Sequence, residues 1–252
     1  MTTAAAIIIL AASSFTAFLS GIFGMAGGLI LMGVLIALPS VSVPMAMIIH
    51  GALQMTANGW RTWLLRGDVD WVAFRRYTAG AVIGTAALFL VTWQPNKQHV
   101  YFILGLAPLL IWLPKERLNL DIQKPGQAFG AGVVVQGLNT LAGVAGPLLD
   151  LFFVRNAMTR QEIVATKSIT QALSHAIKIG FWSVPLVSTA GLGALPPAWF
   201  FAAAIAIAMA STWAGGLVLK RMDDSNFKQI VKWLVTAIGA VMMVRALGSG
   251  SI

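Results

Sequence analysis

Gly21-Ile22-Phe23-Gly24-Met25-Ala26-Gly27-Gly28 interrupts the first long apolar segment of the chain, and Gly143-Val144-Ala145-Gly146-Pro147 interrupts a later one. Each interruption is followed by an apolar piece too short to cross a bilayer: residues 28–38, which end at Pro39, and a run to Val154. About 26 residues after each break a polar stripe enters another apolar segment. The first reads His50, Gln54, Asn58 and Arg61, and the second Lys167, Gln171, His175 and Lys178. The two stripes keep the same spacing at a constant offset of 117 residues. On a helix each set falls within about 80° of arc, so each makes one polar face.

The rest of the chain fits that reading. Of its 252 residues 58% are hydrophobic and 10% charged, where a soluble domain carries roughly 25% charged residues. Apolar runs of about 20 residues recur, each long enough for the roughly 30 Å hydrocarbon layer. Short strands of alternating polarity, the mark of an outer-membrane barrel, are not seen, so the spans are helices. The net charge of +9 sits mainly in short links, where anionic headgroups and topology account for it better than nucleic acid. The absence of cysteine excludes thiol chemistry and Cys-ligated metal. The N-terminus lacks the basic stretch of a cleaved leader, so the first segment is read as part of the mature protein.

The expected fold class is an all-α polytopic membrane protein made of two inverted-topology repeats. Each repeat has about five membrane segments, with broken or re-entrant helices at the glycine motifs. Residues 1–114 form the first transmembrane repeat, 115–127 a cytoplasmic link and 128–252 the second repeat. Helices are expected at 44–65, 71–92, 162–182, 198–219 and 229–247, with a Pro/Gly-rich loop at 183–197. Residues 99–113 make a short segment, and hydropathy alone allows eight to ten segments in all. Counting charges with the 61–76 link inside leaves Lys97 and Arg245 as the outside cations, with Lys167 and Lys178 within a helix. Both termini then lie outside, and the halves enter the membrane from opposite sides.

Ionisable groups inside a membrane cost about 2.5–3.5 kcal/mol each at mid-depth and mark function by default. Gln54, Asn58, Lys167, Gln171 and His175 are therefore the expected substrate-binding side chains, with Gly27, Gly28 and Gly146 supplying backbone at the breaks. Half-helix N-termini expose N–H groups that suit an anion. His50, Asp150, Arg61 and Lys178 are the coupling or gating candidates. Asp150 is read either as a coupling carboxylate or as the ion-pair partner of Lys167. A plainer reading lets Arg61 and Lys178 snorkel to the headgroups and the glycines merely bring helices close. Trp60, Trp63, Trp71, Trp93, Trp112, Trp182 and Trp199 fall near expected span ends as an aromatic belt, and His99 falls at the interface. No nucleophile–base pair, paired carboxylates or metal-ligand cluster is present in the sequence, so neither an enzyme nor a cofactor or metal site is expected.

The paired motifs, Gly21-x-x-Gly24-x-Ala26-Gly27-Gly28 and Gly143-x-Ala145-Gly146-Pro147, resemble those of the TauE/SafE family over nearly the whole chain. These are membrane permeases named for sulfite and organosulfonate export. The resemblance implies a secondary transporter of sulfite, sulfonates or sulfocarboxylates in the bacterial inner membrane. A passive anion channel and a carrier of non-sulfur carboxylates stand as alternatives. The implied partners are a small anion, a proton or sodium as coupling ion, the lipid bilayer and, in the assembly, a second copy as a homodimer. No nucleic acid is among them.

Overall fold

The computed structural model describes residues 2–23, 26–90, 95–114, 118–153, 157–219 and 224–248. Among these the chain is helical and contains no strand. In the first half α1 is Thr3–Phe23, α2 Ala26–Ala37, α3 Val43–Leu64, α4 Trp71–Phe89, α5 Lys97–Gly105 and α6 Ala107–Trp112. In the second, α7 is Pro125–Ala142, α8 Gly146–Leu151, α9 Arg160–Ala190, α10 Ala198–Leu219 and α11 Asp224–Gly248. The short pieces after both breaks are present as α2 and α8. Gly24, Trp93 and the charges at 115–117, 155 and 220–221 lie outside the described residues.

Local chemistry sets the helix starts. Ser42 Oγ accepts from Met45 N ahead of Pro44 in α3, and Asp70 Oδ1 accepts from Val72 N and Ala73 N to open α4. Thr159 and Glu162 cap α9 reciprocally, as Asn96 and His99 cap α5. That cap places His99 in the first turn of α5.

One boundary differs from expectation in a way that matters. The 183–197 stretch is not a loop to its start: α9 runs 31 residues, through Pro185, to Ala190. Proline removes one N–H and crowds the preceding turn. Hydroxyls add bonds on either side of it: Ser183 Oγ donates to Ile179 O at 2.7 Å, and Thr189 Oγ1 to Pro185 O at 2.7 Å. Two other helices also start early, α7 at Pro125 and α11 at Asp224. Residues 99–113 are split at Leu106, ahead of Pro108, into α5 and α6.

Helices from the two halves interleave. The most extensive pairings are α4 with α7, α3 with α9, and α1 with α10, and α5 packs on α11. Two of these contacts rest on glycine. A Cβ on Gly80 would overlap the Phe129 carbonyl and one on Gly132 the Tyr77 carbonyl, which brings α4 and α7 into backbone contact. Gly21 and Gly215 do the same for α1 and α10.

The ends of the bundle differ in charge. At one end the Arg66–Asp68 turn, the 118–124 link and the start of α9 meet. There Asp70 N donates to Thr166 Oγ1 at 2.9 Å, and Arg76 donates to Gln123 O at 3.0 Å. The far end of α4, 19 residues or about 28 Å away, leads to Lys97, which donates to Leu38 O at 2.7 Å.

The outer surface carries large apolar side chains on many helices, among them Ile7, Phe15, Val82, Ile83, Leu109, Trp213 and Val241. A water-soluble protein does not show so continuous an apolar exterior. By length and apolarity two described stretches, Thr3–Ile22 and Leu192–Val218, are each able to cross a bilayer. Other long helices, α3 and α9 among them, carry the polar stripes. Trp60, Trp63, Trp71, Trp112 and Trp199 are exposed, in keeping with a belt, but Trp182 is not. It is 1% exposed and donates from Nε1 to Thr140 O at 2.8 Å. The continuation of α9 past Pro185 moves it from the expected helix end into the core.

Candidate functional site

The site is built by α3 and α9, which run antiparallel. His50 meets Lys178 mid-way, and Asp70, just beyond α3, meets Thr166 near the start of α9. The first residue of one stripe, His50, thus meets the last of the other, Lys178.

At their meeting point a chain of hydrogen bonds ties the two breaks together. His50 Nε2 donates to Gly28 O at 3.0 Å, in the first turn of α2. With that nitrogen carrying the hydrogen, Nδ1 is the acceptor, and Lys178 Nζ donates to it at 2.9 Å. The same Nζ donates to Gly143 O at 2.8 Å. Gly143 caps α7 with φ of 81°, a left-handed backbone that favours glycine, and its N–H returns to Asn139 O at 2.9 Å. One side chain from each half therefore links a carbonyl at the first break to a carbonyl at the second.

His50 and Lys178 are buried, at 1% and 0% exposure. Lys178 is enclosed within the bundle and does not snorkel. It lies in the middle of the lengthened α9. Beside it on α9 is His175, whose ring centroid is 5.5 Å from that of His50 and whose buried Nδ1 has no hydrogen-bond partner among the described residues. Gly28 faces Gln54 and His50, and a Cβ there would reach Gln54 Nε2 at 3.4 Å.

The remaining expected residues divide. Gln171 is half-buried on α9, and Gly146 is buried at the start of α8. Asn58 is buried, but its amide donates to Gln54 O of its own helix at 2.9 Å. Gly27 is pressed on α1, where a Cβ would strike Thr16 O and Ser20. Arg61 is half-buried in the last turn of α3. Lys167 forms an ion pair with Asp150, both partly exposed at 27% and 17%. The structure does not place that pair in the Lys178 cluster.

For the pair itself the expectation is a cycle. Lys167→Gln strands a carboxylate and should lower stability by about 1 kcal/mol, a value held down by exposure. Adding Asp150→Asn should restore most of it. Thermal unfolding of the four proteins measures this, and a double variant no more stable than Lys167→Gln would refute the pairing as a source of stability.

Several residues of this interior were missed. Gln136 donates to Thr140 Oγ1 at 2.9 Å and to Ser174 O at 3.4 Å, and Tyr77 Oη lies 2.7 Å from Ser174 Oγ. Gln136 Oε1 and Asn139 Nδ2 are buried without partners among the described residues. The signal was available: Gln136, Asn139 and Thr140 share a helix face immediately before the second break.

An all-helical chain with an apolar exterior and a basic, polar interior at two helix breaks is a membrane protein of the permease class. Its relatives narrow this. The model of the sulfite exporter TauE/SafE family matches residues 9–242, and the chain belongs to that family. Family membership makes it a membrane transport protein and not an enzyme, and implies a sulfur-containing anion as cargo. No match was found among curated proteins, and none among solved structures.

Proposed function

We propose that the protein is a secondary transporter that moves small sulfur-containing anions (sulfite, sulfonates or sulfocarboxylates) across the bacterial inner membrane by alternating access. Lys178 carries this reading. Its Nζ is fully buried, and the partners it is given are neutral, a carbonyl and an imidazole nitrogen. The ion pair among the described residues is elsewhere, between Lys167 and Asp150. A buried charge without a counter-charge costs several kcal/mol. An anion about 4 Å away would return roughly 4 kcal/mol at an effective dielectric near 20.

In this proposal the anion sits between the two breaks. Lys178, His175, Gln54, Gln171 and the Asn139 amide face it, and Gly27, Gly28 and Gly146 place half-helix N–H groups nearby. Asn58 joins when its amide turns from its own backbone. Lys167 and Asp150 stand on the approach. An anion that draws Lys178 off Gly143 O undoes the link between the breaks and frees one half to rock against the other. The inverted repeat is supported by how the helices pair. Exchanging α1 with α7, α3 with α9, α4 with α10 and α5 with α11 carries the α1–α10 contact onto α4–α7 and returns α3–α9 and α5–α11 to themselves. The end that carries Arg66, Arg76 and Lys124 would be cytoplasmic by the positive-inside rule.

The test is uptake into proteoliposomes of sulfite, sulfate, sulfoacetate, taurine and small carboxylates. Saturable uptake of sulfite or a sulfonate, accelerated by the same anion inside, is the expected result. Currents without acceleration by internal anion would make the protein a channel. Uptake of carboxylates alone would overturn the sulfur assignment.

A further inference from the structure

A second polar space lies apart from Lys178, on the other side of Gln54, between α1, α3 and α10. It is lined by Ser13, Thr16, Ser20, Gln54 and Thr212, with apolar neighbours, and its volume of about 10 Å³ suits a single water-sized occupant. Ser13, Thr16 and Ser20 share a helix face by their spacing. Ser13 and Ser20 are 1% and 7% exposed, and neither hydroxyl oxygen has a hydrogen-bond partner among the described residues. A buried hydroxyl left without a partner carries a desolvation cost, so two that line one cavity point to an occupant.

The orientation of the other groups says which kind. Thr16 Oγ1 donates to Ala12 O at 2.7 Å, and Thr212 Oγ1 to Ala17 O at 3.4 Å. Both hydroxyl hydrogens are therefore engaged, and what remains is lone pairs. Gln54 presents either end of its amide by rotation. Ser20 belongs to the last turn of α1, whose carbonyls carry the negative end of the helix dipole. The start of α2 also lies close, since a Cβ on Gly27 would strike Ser20 Oγ, and alone it would favour an anion. The cavity is too small for an oxyanion of three or four oxygens. No lining side chain is charged, which disfavours a divalent cation, whose sites use carboxylates.

We propose that this cavity is a sodium site, with the oxygens of Ser13, Thr16, Ser20, Gln54 and Thr212 as its ligands. The role rests on the transporter reading: sodium held here, one turn from the first break, couples the ion gradient to the anion through Gln54, which borders both spaces. Gly27 then has a specific purpose, because a side chain there would displace the Ser20 hydroxyl.

The experiment uses the purified full chain. Thermal unfolding is followed as NaCl replaces choline chloride at constant ionic strength, with KCl as a parallel series. Sulfite uptake into proteoliposomes is measured in the same three media. The expected result is a saturable rise in Tm with sodium only, and uptake that depends on sodium. Ser13→Ala and Ser20→Ala should raise the half-saturating sodium concentration tenfold or more. Equal Tm in all three salts for the unaltered protein would overturn the site and leave a bound water there. So would sodium binding that neither alanine variant weakens, and so would sodium binding with equal uptake in all three media. Absence of uptake in every medium, with saturable sodium stabilisation retained, would instead sink the transporter reading and leave the sodium site standing.

Discussion

Gly27→Ala should lower the stability of the protein sharply, and Gly28→Ala, one residue on, should not. The two glycines look alike in the sequence, but their surroundings differ. An added Cβ at position 27 meets the Thr16 carbonyl, which belongs to the α1 backbone and cannot turn aside, and the Ser20 hydroxyl as well. Relief requires α1 and α2 to separate, at an overpacking cost of about 1–3 kcal/mol or more. At position 28 the nearest atom is Gln54 Nε2 at 3.4 Å, an ordinary contact with the end of a flexible side chain. Gly28→Ala should therefore fold normally, and its effect is expected on transport, because the added methyl stands beside Gln54 and His50. Thermal unfolding and uptake of both variants separate the two effects. Equal stability of Gly27→Ala and the unaltered protein would show that α1 and α2 are not in backbone contact.

That contrast marks how much of the molecule was legible. The two breaks, their short following helices and the polar stripes follow from residue spacing, because a helix fixes which residues share a face. Depth along a helix is another matter. Ending the helix at residue 182, with a Pro/Gly-rich loop at 183–197, placed Lys178 and Trp182 near a helix end, among headgroups. α9 instead continues through the proline to Ala190, which leaves both residues in the core. Gln136, Asn139 and Thr140 were passed over for a different reason. They are uncharged and stand in a run of small residues, so they read as packing. Contact across helices, such as Lys178 with Gly143 O or Gln136 with Ser174 O, has no local signature in a chain met alone.

Lys178→Met should abolish sulfur-anion transport while leaving the protein folded. Methionine matches the length of the lysine stem and removes a group whose charged form is costly to bury. It strands the lone pairs of His50 Nδ1 and Gly143 O, a cost of about 1–3 kcal/mol each, which opposes the several kcal/mol relieved by no longer burying a charge. Anion binding has no such compensation. Loss of a charged hydrogen bond of about 1.5–3 kcal/mol corresponds to a factor of roughly 10 to 150 in affinity, and loss of the whole Coulombic attraction adds to it. Lys167→Gln with Asp150→Asn removes a charge from the same helix but from a partly exposed pair, and should change affinity far less.

The most direct measurement is equilibrium binding of radiolabelled sulfite and of a sulfonate to purified protein. It compares the unaltered chain, Lys178→Met and the Lys167→Gln, Asp150→Asn double variant. The account predicts saturable binding at one site per chain, retained in the double variant and lost in Lys178→Met. Saturable binding to Lys178→Met with the affinity of the unaltered chain would contradict it.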